Sequence, residues 1–246
     1  MDDSVRHPDL PHYRKHDLFE SISDKVFLMA TSSIICTIDQ GSIGFEYGRL
    51  EVSIVCAGDS LTGWNNNGSH QYWPFPTYPD ELQRLCEPRG LRVANGGIAG
   101  EVSDNGPKQV QDYLKLFPMA SYVVMGMGTN DLAVVPDTET ASRRIIENLD
   151  RMVQAVLDHG MQPILFNVPY VNEAVLPDQI VATIRAKRDY HNPRLKAFCV
   201  ERGIPLADVC SRLNDNHFSD SLHPNAEGAK IIAATVFDVV KSLLIE

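Results

Sequence analysis

Four short stretches of the chain carry side chains whose types suit acyl-transfer chemistry. Gly58-Asp59-Ser60-Leu61 offers a hydroxyl, and Asn95-Gly96-Gly97-Ile98-Ala99-Gly100 offers a glycine amide. Gly126-Met127-Gly128-Thr129-Asn130-Asp131 offers a side-chain amide, and Asp220-Ser221-Leu222-His223-Pro224 offers a carboxylate three residues before an imidazole. A hydroxyl is a weak nucleophile until a base takes its proton. An imidazole can take it near neutral pH, and a carboxylate fixes the imidazole tautomer and stabilises the charge it gains. Amide donors stabilise the oxyanion that then develops. None of these steps needs a metal or a cofactor, and none is expected. His12 and His16 read as a solvated pair rather than a metal site, nothing supports a metal at His217, and His70 and His191 read as surface residues.

For these groups to meet, the elements between them must bring four loops to one rim. Apolar stretches at 52–57, 91–95, 121–127, 162–168 and 204–209 read as short strands. Three of them are apolar almost throughout, as parallel strands covered on both faces are. Between them lie helical patterns. In 139–158, Ile145, Leu149, Met152, Val153 and Val156 recur at helical spacing, with Gly160 placed for a left-handed cap. In 225–244, Ile232, Val236, Val239, Val240 and Leu243 form one stripe; 79–88 and 107–117 are shorter candidates, the latter with Pro107 at a helix start. Five β–α units in one run imply an open parallel sheet with helices on both sides. Sites in such sheets form beyond the carboxyl ends of the strands, which is where all four stretches fall. Residues 49–246 read as one domain. Residues 1–48 read as an N-terminal extension with a β-hairpin, in which Ile34, Cys36 and Ile38 alternate, as do Ile43, Phe45 and Tyr47, around Asp39-Gln40-Gly41.

Each assignment has a plainer competitor. Ser60 suits a helix cap, Asn130 a turn and Gly100 a tight bend. Asp208 and Asp215 rival Asp220, although Asp220 has the better spacing: Pro224 disfavours helical geometry at His223, so a three-residue turn lets both side chains meet while Asn225 caps the last helix. Asp59, Asp131 and Asn95 read as structural, tying loops together. The aromatic, amide-rich loop from Trp64 to Tyr78 reads equally as a cover over the sheet end or as a pocket wall. Pro169 to Asn192 reads as a second wall, with Tyr170, Val171 and Leu176 available to line it. Trp64, Trp73, Thr129, Tyr170 and Leu222 are the substrate-pocket candidates.

Composition narrows the partners. Asp plus Glu is 32 against 22 Lys plus Arg, a net charge of −10, which repels phosphate backbones and anionic lipid. Nucleic acid is therefore not an expected partner; a small-molecule ester is. No apolar stretch is long enough to span a bilayer, Asp2 and Asp3 open the chain, and no clear cleavage site follows Val26 to Ile38, so a cytoplasmic protein is expected. The five cysteines, at 36, 56, 86, 199 and 210, are odd in number and widely spaced; they suggest neither a disulfide framework nor a zinc site. Cys56 reads as a small buried hydrophobe.

Taken together and in this order, the four stretches resemble the blocks of the SGNH hydrolases of the GDSL esterase/lipase family: Gly58-Asp59-Ser60-Leu61, Gly100, Gly128-Thr129-Asn130-Asp131 and Asp220-x-x-His223-Pro224. The resemblance spans residues 52 to 228. It implies a flavodoxin-like three-layer α/β/α sandwich with a five-stranded parallel sheet. It also implies Ser60 as nucleophile, His223 as base and Asp220 as its orienter, with the backbone amides of Ser60 and Gly100 and the side-chain amide of Asn130 as oxyanion donors. The implied activity is hydrolysis of a carboxylic ester (short acyl, O-acetyl or thioester) through an acyl-enzyme. Thr129 stands where many members have glycine, and the fifty residues before the first strand exceed the minimal fold.

Three other readings compete. The α/β-hydrolase elbow, Gly-x-Ser-x-Gly, fails at Thr62. A flavodoxin-like FMN-binding protein could cradle phosphate with Ser60, Thr62 and Asn66 but leaves Asn130 and Asp220/His223 unexplained. A non-catalytic carbohydrate-binding relative is at odds with the intact set of chemical groups.

Overall fold

A computed structural model describes residues 29–30, 36–39, 42–45, 51–63, 76–172, 174 and 179–244. The strands in chain order are β1 (Met29–Ala30), β2 (Cys36–Asp39), β3 (Ser42–Phe45), β4 (Ile54–Gly58), β5 (Val93–Gly97), β6 (Tyr122–Gly126), β7 (Gln162–Phe166) and β8 (Leu206–Ala207). The helices are α1 (Tyr78–Cys86), α2 (Gly106–Leu116), α3 (Thr129–Val134), α4 (Thr138–Asp158), α5 (Gln179–Arg202) and α6 (Ala226–Leu243). One sheet has the order β1-β5-β4-β6-β7-β8. Its five strands from β4 onward run parallel, and β1 adds an antiparallel edge, with Met29 opposite Asn95. β2 and β3 pair antiparallel on their own, from Cys36 opposite Phe45 to Asp39 opposite Ser42.

Strand alternation sorts the core into two layers. Along β4, Ile54 and Cys56 point to one face and Val55 and Ala57 to the other, as the two-residue period requires. The first face packs Ile54, Cys56, Val124 and Ile164 against α1 and α6 through Tyr78, Leu82, Ile232, Val236 and Val240. The second packs Val55, Ala94, Val123 and Leu165 against α2, α4 and α5 through Val110, Ile145, Leu149, Met152 and Ile184. Every residue of β4 and β5 is buried, as central strands covered on both faces are. Cys56, Cys86 and Cys199 are buried free thiols.

Two expectations need correction. Within the stretch 169–192, read as a second wall, α5 begins at Gln179 and runs to Arg202. Its sequence hides it: Lys187, Arg188 and His191 occupy buried positions, and Pro193 lies inside the helix. A helix that buries charge has no clean apolar stripe. His191 is accordingly not a surface residue; it is 0% exposed. Val171 is likewise packed in the core rather than set at a pocket mouth. Among the described residues, no helix is long and apolar enough to cross a membrane.

Candidate active site

β4 ends at Gly58, and the chain turns at once. The Asp59 carbonyl accepts the backbone N–H groups of Thr62 and Gly63 at 3.1 and 3.0 Å, and Asp59 Oδ1 accepts that of Leu61 at 3.0 Å. Ser60 thus rides on a turn in which Asp59, just before it, holds the three amides that follow it. The turn lies against the end of β5: a Cβ on Gly97 would stand 2.1 Å from the backbone nitrogen of Gly63. Only a residue without a side chain permits that approach.

The imidazole comes from the other end of the chain. The loop before α6 closes on itself, with Ser219 N–H donating to the His223 carbonyl at 2.9 Å and Asn225 N–H to that of His217 at 3.0 Å. Asn225 Oδ1 then accepts from Glu227 and Gly228 N–H, each at 3.0 Å, and so caps α6. Within this loop His223 Nδ1 lies 2.8 Å from Asp220 Oδ2, and His223 Nε2 lies 3.1 Å from Ser60 Oγ. Asp220 Oδ1 accepts the backbone N–H groups of Leu222 and His223 at 2.7 and 2.6 Å. Burial works against ionisation of Asp220, but hydrogen bonds from the His223 ring and from these two backbone groups outweigh it, so the carboxyl ionises below the ordinary carboxylate range. An ionised Asp220 accepts the Nδ1 proton, which leaves Nε2 with its lone pair toward the serine hydroxyl.

The competing aspartates are engaged elsewhere. Asp208 accepts from Asn167 Nδ2 at 2.6 Å, and Asp215 accepts the Tyr170 hydroxyl at 3.0 Å. A second serine–histidine contact exists, Ser142 Oγ to His191 Nδ1 at 3.0 Å, but both residues are at most 1% exposed and His191 Nε2 has no partner among the described residues. Without a carboxylate or access for a substrate, that pair has no route to acyl chemistry.

The other rim residues come from two further strand ends. Gly100 is exposed in a left-handed conformation, φ 80°, after β5. No acceptor among the described residues takes the backbone N–H of Gly100 or of Ser60. Asn130 lies in the first turn of α3, where Nδ2 donates to the Glu101 carbonyl at 2.7 Å; one of its two N–H bonds thus ties it to the loop that carries Gly100. Asp131 holds the same loop from the next position, accepting Ser103 N–H at 2.9 Å and Ser103 Oγ–H at 2.6 Å. Burial raises the Asp131 carboxyl above its ordinary range, with the Ser103 hydrogen bonds opposing. Asn95 Oδ1 accepts Gly97 N–H at 3.0 Å, and its Nδ2 donates to Thr77 Oγ1 at 3.0 Å.

The pocket candidates are dispersed. Thr129 is buried at the start of α3, Leu222 packs on the core, and Tyr170 is half-buried with its ring 6.0 Å from that of Phe218. Trp64 and Trp73 lie outside the described residues, as do His12, His16, His70 and Leu176. Two positioning contacts had no signal in the sequence. Lys187 Nζ donates to the Leu132 and Val135 carbonyls at 3.1 and 2.5 Å, placing a cation at the C-terminal end of the helix that carries Asn130. Asn172 N–H donates to the Ser221 carbonyl at 2.9 Å and braces the His223 loop. A lysine on a polar helix and a backbone amide in a loop look like any others in one dimension.

No curated protein matches the chain. Among solved structures, a carbohydrate acetylesterase from Sinorhizobium meliloti superposes with a TM-score of 0.65 at 17% identity, covering 78% of this chain and 99% of that one. A GDSL-like lipase from Bacteroides thetaiotaomicron gives 0.60 at 18% identity over 79% and 90%. An alpha/beta hydrolase enzyme from the metagenome of Lake Arreo, Spain, gives 0.61 at 22% over 78% and 96%. At these identities the likeness is one of fold. The family itself is decided by sequence: residues 56–231, more than half of the chain and including all four site loops, match the GDSL-like lipase/acylhydrolase family, and the protein belongs to that family of hydrolases.

Proposed function

We propose that the protein hydrolyses carboxylic esters through an acyl-enzyme on Ser60. Ser60 Oγ attacks the ester carbonyl carbon while His223 Nε2 takes its proton, and Asp220 holds the imidazole and its charge. The backbone N–H groups of Ser60 and Gly100 and the second N–H of Asn130 Nδ2 receive the oxyanion. Collapse of this intermediate breaks the bond to the alcohol, which leaves with the proton from His223. Water, deprotonated by His223, then releases the carboxylic acid and restores Ser60. Thioesters and O-acetyl esters suit the same steps. Because relatives in fold include carbohydrate acetylesterases, acetylated sugars belong in the first screen.

The observation that carries this reading is the unbroken run of hydrogen bonds from Ser60 Oγ through His223 to Asp220, at 3.1 and 2.8 Å. The test is hydrolysis of p-nitrophenyl esters, thioesters and acetylated sugars by the full chain, with Ser60→Ala as control. By comparison with serine triads, Ser60→Ala is expected to lower turnover by roughly 10⁶. Retention of most of the activity would remove Ser60 from the mechanism.

A further inference from the structure

Beside the nucleophile turn, between the N-terminal ends of α1 and α6, lies a small cavity open on one side. Ser60 and His223 line it, so it meets the reacting atoms directly. Among the described residues its most deeply buried lining is Tyr78 of α1 and Ala229 and Ile232 of α6, which are 1%, 2% and 1% exposed, with Leu61 beside them. It has room for little more than one water-sized sphere.

The walls cannot easily retreat. The Tyr78 ring is backed edge-on by Phe166 of β7, with centroids 5.4 Å apart at 81°. Ile232 lies on the face of α6 that packs against the sheet and α1, Ala229 is buried three residues before it, and the N-terminus of that helix is fixed by the Asn225 cap. Interiors packed in this way respond to a single added methylene.

In the tetrahedral intermediate the acyl carbon is bonded to Ser60 Oγ. Its oxygen must face the amide donors, and its leaving alcohol must lie within reach of His223 Nε2. One substituent remains, the rest of the acyl group, and beside Ser60 the enclosed space takes a group of methyl size. We propose that this cavity is the acyl pocket and that Tyr78, Ala229 and Ile232 limit the acyl group to acetyl. The proposal rests on the ester-hydrolase reading above and adds to it the residues that set chain length.

The test is kcat/KM of the full chain on p-nitrophenyl acetate, butyrate and octanoate, which share one leaving group and so isolate the acyl side. One methylene in a tight apolar pocket is worth roughly 10–200-fold. The acetate is expected to exceed the butyrate by at least about tenfold, and the butyrate to exceed the octanoate. Ile232→Val removes one methylene from the floor and is expected to raise the butyrate-to-acetate ratio by about tenfold. Ala229→Val fills the cavity and is expected to lower acetate hydrolysis by at least about tenfold. If Ala229→Val does not fold, Ile232→Val and the wild-type series still decide. Octanoate cleaved as fast as acetate, or a ratio unmoved by Ile232→Val, overturns the pocket assignment and leaves the ester-hydrolase reading standing. Absence of hydrolysis on every ester, or activity retained in Ser60→Ala, overturns both.

Discussion

Asp59 reaches across Ser60 to Leu61: its Oδ1 accepts the Leu61 backbone N–H at 3.0 Å, while its Oδ2 is buried with no partner among the described residues. Burial pushes this carboxyl up to about 7, against the opposing hydrogen bond from Leu61. The sign of the consequence follows from proton counting. Between about pH 4 and 7 the unfolded chain has lost this proton and the folded chain has kept it, so the folded state is progressively destabilised as pH rises through that window. Asp59→Asn keeps an acceptor for Leu61 and removes the titration. Urea unfolding of the two proteins at pH 5 and pH 8 is expected to show a gain for the variant at pH 8 relative to pH 5, with a ceiling of roughly 3 kcal/mol, from about two pH units at ~1.4 kcal/mol each. Parallel stability curves would mean that Asp59 ionises in the folded state as it does in the unfolded one.

His191 has the opposite sign. Burial, helped by the nearby Arg194 charge, pushes its imidazole down to about 4. Between about pH 6.5 and 4 the unfolded chain binds a proton that the folded chain refuses, so stability falls as the solution is acidified. His191→Gln is expected to lose that acid slope in the same unfolding measurement. Its window overlaps that of Asp59, so the two slopes partly cancel in the native protein and separate in the single variants.

The two serine–histidine pairs offer a direct contrast. Ser142→Ala removes the hydroxyl bonded to buried His191 and is expected to change ester turnover by less than about twofold, since changes away from the reacting groups act through stability rather than chemistry. Ser60→Ala is expected to remove activity. Side-by-side rates on one ester decide which pair performs the reaction.

Asn130→Ala is expected to lower kcat by roughly 10²–10³ with little change in KM, the effect of deleting one oxyanion donor. The substitution also frees the Glu101 carbonyl that Nδ2 holds at 2.7 Å. Circular dichroism and the melting temperature are therefore measured alongside. A change confined to KM would take Asn130 out of that role.

Gly97→Ala places a methyl 2.1 Å from the Gly63 backbone nitrogen, where the obstacle is main chain and cannot swing aside. Overpacking of this kind costs roughly 1–3 kcal/mol. Displacement of the Ser60 turn by about 1 Å is expected to cost about 10² in turnover. A variant with native stability and rate would show that the turn has slack.

Legibility in the sequence followed the range of the interactions involved. α4 and α6 were readable because an apolar stripe at helical spacing is a local property. α5 was not, since Lys187, Arg188 and His191 find their hydrogen bonds, ring contacts and burial on other elements. β1, two residues long, exists as a strand only through its pairing with β5. In the site, Asp220 and His223 are three apart and their contact is local. The approach of Ser60 to His223 is not local; only the order of the four loops along a parallel sheet made it inferable. The bracing bonds from Lys187, Asn172 and Ser103 join side chains or amides to distant loops and carry no pattern of their own.

The hydroxyl and the ring it meets are 163 positions apart, one at the end of a central strand and the other in the last loop before the terminal helix. A ribosome-bound chain that has emerged only through β8 already holds Ser60 but not His223. On the mechanism proposed above, turnover is expected to begin only when the C-terminal segment has docked, so that the appearance of enzymatic rate during refolding would be a clock for the final stage of assembly.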